Sequence, residues 1–271
     1  MSEIRGRIVL ITGGGSGLGR RLAHRMAQLG GTPVLWDLHE SNLAKVSQEI
    51  RAMGGRVHAY RCDVSNRRSV YEVAERVRSE AGPVHILVNN AGIISGKRFL
   101  DLPDEKIEAT FGVNTLALFW TTKAFLPAMI ERNEGHVVTI SSASGLIGVA
   151  KLADYSASKF AAFGFDESVR VELKRMRSSV RTTVVCPYYV NTGMFTGVKT
   201  RFPLLLPILE EKDVVERIVR AIQRNRERVI MPPMVLLIPM LRIFPPSILD
   251  TIAGLMGVNI SMDEFKGRGE S

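Results

Sequence analysis

The stretch from Arg7 to Leu29, R-I-V-L-I-T-G-G-G-S-G-L-G-R-R-L-A-H-R-M-A-Q-L, decides the fold. A short β-branched run, Arg7 to Thr12, meets a glycine turn and then a segment of helical period, Arg20 to Leu29, which predicts a buried strand, a tight turn and a helix. In that order the three elements let a phosphate approach bare backbone N–H groups at the positive end of the helix. Gly13, Gly15, Ser16, Gly17, Leu18 and Gly19 are therefore the candidate phosphate-binding residues. The spacing is G-x-x-x-G-x-G rather than the G-x-G-x-x-G of the commonest dinucleotide fingerprint. A strand-to-helix turn with no ligand is the competing reading.

The pattern repeats down the chain. A second strand, Thr32 to Trp36, ends at Asp37, and a helix over Glu40 to Met53 follows. A carboxylate at that strand end can accept hydrogen bonds from adenosine ribose hydroxyls and would repel a 2′-phosphate, which favours NAD over NADP. As an N-cap, Asp37 has a purely structural alternative. Arg20 and Arg21 argue the other way, but they fall inside the first helix. A third strand, Val57 to Cys62, delivers Asp63 and Val64, and a fourth, Val84 to Val88, runs into Asn89-Asn90-Ala91-Gly92. Small and amide-bearing residues there leave room for a flat ligand, or form a turn closed on its own backbone. A long helical region spans Asp104 to Glu131, with Asn114 among apolar neighbours, where it holds a water, loosens the helix or bonds a neighbouring carbonyl.

His136 to Ile140 makes a fifth strand, ending at Ser141 and Ser142; Tyr155 and Lys159 stand on the following helix, Asp154 to Lys174. Tyrosine and lysine at i and i+4 share one helix face. A nearby cation favours tyrosinate, and a phenol of reference pKa about 10 needs such help to act near neutrality. With Ser142 holding the oxygen of an alcohol or carbonyl, the three groups suit proton transfer at a carbon that gains or loses hydride. A sixth strand covers Val180 to Cys186. Alternating near-continuous apolar strands and helices predict an α/β fold, a single-domain doubly wound parallel sheet of about seven strands covered by helices on both faces, with the singled-out residues along one edge.

At 271 residues and 45% hydrophobic content the chain can bury one full core. Two cysteines, Cys62 and Cys186, make no disulfide framework, and scattered histidines predict no catalytic metal. The net charge of +9 is spread along the chain with little aromatic content, which gives nucleic-acid binding no support. The opening residues predict no signal peptide and a cytoplasmic or membrane-peripheral protein.

With these residues in hand, the chain resembles the short-chain dehydrogenase/reductase family over roughly residues 5 to 232. The match rests on T-G-x-x-x-G-x-G from Thr12, Asp63, N-N-A-G from Asn89, Asn114, Ser142 and Y-x-x-x-K from Tyr155, in the family's order. The resemblance implies a Rossmann-like fold and a catalytic tetrad of Asn114, Ser142, Tyr155 and Lys159. Tyr155 would be the acid/base, Ser142 would position substrate, Lys159 would also bind the nicotinamide ribose, and Asn114 would support a relay water. Beyond the turn and Asp37, it implies cofactor contacts from Leu38, Asp63, Val64, Asn90, Ala91, Gly92, Pro187, Val190 and Thr192, and a homodimer or homotetramer. Pro187-Tyr188 stands where the family often has P-G. That change, with F-W-T-T-K-A-F-L-P from Phe119, G-L-I-G from Gly145 and T-G-M-F from Thr192, is similar to the branch of retinol and 17-beta-hydroxysteroid dehydrogenases. Eukaryotic members of that branch commonly begin with a hydrophobic anchor, absent from these opening residues.

Residues 193–228 read as a substrate flap and lid, 229–265 as an apolar extension, and the tail from Lys266 as disordered. The extension serves as lid, subunit interface or membrane contact; its prolines and Arg242 make it too short and irregular to span a bilayer. The expected activity is NAD-dependent oxidation of a hydroxyl on a steroid, retinoid or similar lipid. An NADP-dependent carbonyl reductase with the same tetrad, and a non-catalytic nucleotide- or lipid-binding scaffold, are the alternatives.

Overall fold

In a computed structural model, which describes residues 2–267, each apolar run becomes a strand of one sheet. The strands are β1 (Ile8–Thr12), β2 (Thr32–Asp37), β3 (His58–Arg61), β4 (Ile86–Asn89), β5 (His136–Ile140), β6 (Arg181–Pro187) and β7 (Arg228–Met231). All neighbours pair in parallel, in the order β3-β2-β1-β4-β5-β6-β7. The chain thus builds outward from β1 in one direction, returns to lay β4 against β1, and builds outward in the other. Loops leaving β1 and β4 diverge, and a crevice opens at their carboxyl ends.

The helices are α1 (Gly17–Gln28), α2 (Glu40–Ala52), α3 (Arg67–Glu80), α4 (Asp104–Phe111), α5 (Ala117–Glu131), α6 (Ala153–Arg175), α7 (Glu211–Gln223), α8 (Ile238–Leu241) and α9 (Pro246–Leu255). Apolar stripes of α1 (Leu22, Met26), α2 (Val46, Ile50) and α7 (Val214, Ile218, Ile222) bury one face of the sheet. Stripes of α3 (Val70, Ala74, Val77), α5 (Phe125, Met129) and α6 (Leu173) bury the other. Residues at i, i+4 and i+8 fall on one side of a helix, which is why these sequences dock as they do.

The structure departs from expectation in three places. The long helix breaks between α4 and α5 into a five-residue π turn, Gly112–Leu116, centred on Asn114; glycine and asparagine are poor helix formers, and the wider turn offsets their cost. The span 193–228 is not all lid, because α7 within it belongs to the core layer under the sheet. Likewise the first residues of the apolar extension form β7. The tail expected to be disordered falls mainly on residues 268–271, outside the described residues; at its start, the Lys266 N–H donates to the Thr196 carbonyl at 2.9 Å.

That contact is one of several by which the C-terminal segment straps the 193–200 flap. Lys199 pairs with Glu264 at 2.6 Å, Lys151 with Asp263 at 2.7 Å, and the Tyr189 hydroxyl meets Ser261 Oγ at 2.8 Å. Gly197 lies so close to the Glu264 carbonyl, and Gly96 to the Phe265 ring, that a Cβ at either would overlap it.

Candidate active site

At the carboxyl end of β1, Gly13 (φ +63°) and Gly17 (φ +48°) take left-handed conformations that side chains disfavour. The Thr12 hydroxyl accepts from the N–H groups of Asn90 (2.9 Å) and Ala91 (3.0 Å), while Asn90 Nδ2 donates to the Thr12 carbonyl at 2.9 Å. The glycine turn is thereby stapled to the end of β4, and a Cβ at Gly19 would overlap the Gly13 carbonyl. Gly15 packs against Asp37. Its N–H donates to Asp37 Oδ2 at 2.9 Å, and a Cβ there would come within 2.8 Å of that carboxylate. Gly15 thus fits Asp37 against the turn.

The other Asp37 oxygen accepts from the His39 N–H at 3.1 Å, and Asp63 Oδ1 accepts from Ser65 N–H at 2.9 Å and Ser65 Oγ at 2.6 Å. These residues line a cleft enclosing about 1250 Å³ of space open to solvent. Along it stand Gly13, Ser16, Gly17, Leu18, Asp37, Leu38, Asp63, Val64, Asn90, Ala91, Gly92, Lys159, Pro187, Val190 and Thr192. Gly15 and Gly19 stand behind its wall. Sequence reasoning missed His39, Ile93, Val113, Met194 and Phe195, which also line it; only Met194 and Phe195, in T-G-M-F, carried any signal.

Ser142, at the end of β5, donates to the Pro187 carbonyl at 3.4 Å and accepts from the Ser144 N–H at 3.2 Å. Tyr155 and Lys159 lie one turn apart near the start of α6, both buried. Lys159 Nζ donates to the Ile140 carbonyl at 2.9 Å and sits 5.5 Å from the Tyr155 ring centroid. From the π turn, Asn114 Oδ1 accepts from the Ile93 N–H (2.9 Å), and its Nδ2 donates to the Ile93 carbonyl (3.0 Å) and to Ser158 Oγ (3.0 Å). Ser158 Oγ in turn donates to the Tyr155 carbonyl at 2.7 Å. Asn114 therefore clamps the chain beyond β4 to the turn of α6 that presents Tyr155. The bonds to the Ile93 backbone and the π turn around Asn114 match two of the readings of this residue, a neighbouring-backbone bond and a loosened helix.

The electrostatics correct a second expectation. Burial pushes the Tyr155 phenol well above its ordinary value, against a weaker downward pull from a hydrogen bond with Ser142. Burial also pushes the Lys159 ammonium down, to about 8. Lysine does not make this phenol acidic here: its ammonium is held by Ile140, and a dry site penalises both charged forms.

A second, largely apolar cleft of about 860 Å³ adjoins the first. Ile147, Leu152 and Leu206 line it together with Met234, Ile238 and Ile252, so α8, α9 and the preceding segment form its far wall. Ser142, Tyr155, Tyr188 and Phe195 line both clefts. The Phe195 ring stands edge-on to Tyr155 at 6.0 Å and to Tyr189 at 5.0 Å. Among the described residues no group of three or more His, Cys, Asp or Glu is placed to hold a metal ion.

A doubly wound parallel sheet, a glycine turn at the first crossover and a buried Ser-Tyr-Lys set at the fifth define a Rossmann-type oxidoreductase. A family model described as short chain dehydrogenase matches residues 7–201. The chain is 51% identical over 268 residues to human epidermal retinol dehydrogenase 2, covering 97% of this chain and 86% of that one. It is 40% identical over 267 residues to rat estradiol 17-beta-dehydrogenase 11, covering 98% and 88%. Among solved structures, a short-chain dehydrogenase/reductase from Burkholderia phymatum in complex with NAD superposes with TM-score 0.81 at 30% identity, covering 89% of this chain and 94% of that one. A metagenomic short-chain oxidoreductase in complex with NADP gives TM-score 0.72 at 28% identity, covering 86% and 99%. The chain belongs to the short-chain dehydrogenase family, in the branch that holds the retinol and 17-beta-hydroxysteroid dehydrogenases.

Proposed function

We propose that the chain interconverts an alcohol and a carbonyl on a hydrophobic substrate, such as a steroid, a retinoid or a similar lipid alcohol, with NAD as the hydride partner. One observation carries the reading: Ser142 and Tyr155 form the wall shared by a nucleotide-sized cleft and an apolar cleft. The close-packed glycine turn, with left-handed backbone at Gly13 and Gly17 and the first turn of α1 on the cleft wall, fits a pyrophosphate at a helix N-terminus. When bound, NAD supplies the carbon that accepts or returns hydride.

The chain's own groups supply the rest. Asp37 would accept from the adenosine ribose hydroxyls, with Leu38, Asp63 and Val64 around the adenine, and Lys159 and Thr192 toward the nicotinamide end. NAD rather than NADP is supported by the arginines that would answer a 2′-phosphate. Arg20 is paired with Glu49 at 2.6 Å, and Arg21 with Glu211 at 2.9 Å. Ser142 holds the substrate oxygen beside the Tyr155 hydroxyl. Tyr155 donates its proton to that oxygen as a carbonyl is reduced and, as tyrosinate, accepts the hydroxyl proton in the reverse direction. The apolar cleft excludes water around the reacting carbon.

The exposed apolar residues of α8, α9 and the segments beside them support a lipid surface as the place of work. Leu237, Ile238, Leu249 and Ile252 line the cleft, while Leu236, Met240, Ile243, Phe244 and Leu255 are exposed. A helix apolar on both sides asks for an apolar neighbour on both, and a chain of net charge +9 suits anionic headgroups. No helix among the described residues is long and apolar enough to cross a membrane. A homodimer or homotetramer would compete for the same face.

Turnover of estradiol, retinol and a long-chain alcohol with NAD and with NADP tests the reading, alongside Tyr155→Phe. We expect NAD-dependent oxidation of at least one of these lipids. Tyr155→Phe should lower kcat by about 10²–10⁴ with NAD affinity kept. Turnover only of small polar alcohols, or tighter binding of NADP than of NAD, would overturn the corresponding part.

A further inference from the structure

Phe195 lines both clefts, and its ring stands edge-on to the Tyr155 ring with centres 6.0 Å apart. The flap that carries it, residues 193–200, has no helix or strand of its own. The place of Phe195 is therefore set from outside the flap, and the contacts that set it lead to the C-terminal strap.

On the backbone, the Lys266 N–H donates to the carbonyl of Thr196, the next residue along, at 2.9 Å. On the side chain, the Phe195 ring meets the Tyr189 ring edge-on at 5.0 Å, and the Tyr189 hydroxyl lies 2.8 Å from Ser261 Oγ. Ser261 gives its one hydroxyl proton to the Val258 carbonyl at 2.6 Å, so Tyr189 is the donor in the bond between them. Burial pushes the Tyr189 phenol up to about 12, so it keeps the proton this bond needs. Ser261 is 2% exposed and lines neither cleft. It fixes the Tyr189 ring, and Phe195 rests on that ring.

We propose that Phe195 is a positioning residue for Tyr155, and that the strap holds it in place through Ser261 and Tyr189, from outside both clefts. Ser261, Tyr189, Phe195 and Tyr155 make a file of direct contacts. Loosening its outer end lets the phenol ring drift. Proton transfer needs that hydroxyl within hydrogen-bond reach of the reacting oxygen, and small misplacements of a reacting group are costly. The inference rests on the alcohol–carbonyl reading of Ser142 and Tyr155, and extends it to a residue that lines neither cleft.

The test uses the full chain and whichever of estradiol, retinol and a long-chain alcohol it oxidises fastest. Ser261→Ala and Tyr189→Phe remove the two partners of one bond. Each should lower kcat per NAD-binding site about tenfold, the worth of an aromatic edge contact, and the double variant should be no slower than either. NAD affinity should hold, while the solvent deuterium isotope effect on kcat should rise as transfer of the Tyr155 proton becomes the slower step. A bond that is merely structural would lower the melting temperature and leave that isotope effect unmoved. Phe195→Leu keeps the strap intact and should give the same two changes, so the proposal stays testable if a strap variant does not fold. Unchanged kcat, a lowered kcat with an unmoved isotope effect, or losses that multiply in the double variant overturn the positioning role and leave the role of Tyr155 standing. Failure of all three alcohols to react with either NAD or NADP defeats the lipid-alcohol reading and this inference together.

Discussion

Single residues carry the tightest constraints at the ends of β1 and β5. Gly19 is one: a methyl group there has the Gly13 carbonyl and Asn90 Nδ2 in its way, and neither is a flexible side-chain end free to swing aside. Gly19→Ala should weaken NAD binding by tenfold or more and lower thermal stability, since overpacking costs about 1–3 kcal/mol; calorimetric titration and a melting curve read both. The glycine turn was legible in the sequence because glycine spacing reports backbone geometry directly. What Gly15 does was not, since the Asp37 carboxylate it fits against lies a whole helix away in the chain. The tyrosine–lysine pair was legible as a pair from its i, i+4 spacing, yet its charge state was not. Spacing places two side chains on one face, whereas the burial that shifts their proton affinities comes from elements packed over them that no local pattern encodes.

Among the elements, the π turn between α4 and α5 shows most clearly how local conformation serves the site. Read from sequence, Asp104 to Glu131 is one helical pattern, and nothing in a hydrophobic period signals an extra residue in one turn. The wider turn lets Asn114 bond both backbone groups of Ile93 while reaching Ser158 in α6. Asn114→Ala leaves those groups unpaired, and we expect a stability loss of about 1–3 kcal/mol by urea denaturation together with reduced kcat.

The strands hold a second pair of interest. His136 in β5 is buried against Thr183 of β6, its Nε2 2.7 Å from the Thr183 hydroxyl, which itself donates to the Arg226 carbonyl; burial pushes the imidazole down to about 4. Asp166 in α6 accepts from the Thr182 hydroxyl at 3.2 Å, and burial pushes its carboxyl up to about 7. Between pH 4 and 6.5 the unfolded chain protonates the histidine and the folded one does not, so that group makes stability rise with pH. Between 3.8 and 7 the folded chain keeps the carboxyl proton that the unfolded one releases, so Asp166 makes stability fall with pH. Each effect amounts to about 3–4 kcal/mol, and the two oppose. Urea midpoints of the unaltered chain should be nearly flat from pH 4 to 7; Asp166→Asn should make them climb across that window, and a flat profile in the variant would refute the assignment.

Seen whole, the molecule has a nucleotide-binding half organised by the sheet and a substrate half roofed by residues beyond β6. The first was readable almost entirely, since alternating periods of strand and helix repeat down the chain. The second was readable only as an apolar region. Which side of α8 and α9 faces inward depends on contacts with Leu206 and the β5 turn that no local pattern encodes, and α7, placed by sequence within the lid, turned out to pack beneath the sheet.

Leu204, in the segment before α7, and Ile243, between α8 and α9, are almost fully exposed at 99% and 85% and are the natural probes of the outer apolar surface. The chain should float with vesicles of anionic phospholipid in a density gradient, and the double variant Leu204→Glu, Ile243→Glu should remain at the bottom while still oxidising a detergent-dispersed substrate. Equal flotation of the variant, or none by the unaltered chain, would exclude this face as the lipid contact.

The strap formed by Ser261 to Lys266 has a consequence for how the enzyme comes into being. By the time a ribosome has made β6, every strand flanking the dinucleotide crevice is out, and that half has what it needs to fold, as N-terminal portions do during synthesis. The clasp on the flap is made well after β6, so the growing chain gains its nucleotide cradle before the apolar cleft is closed.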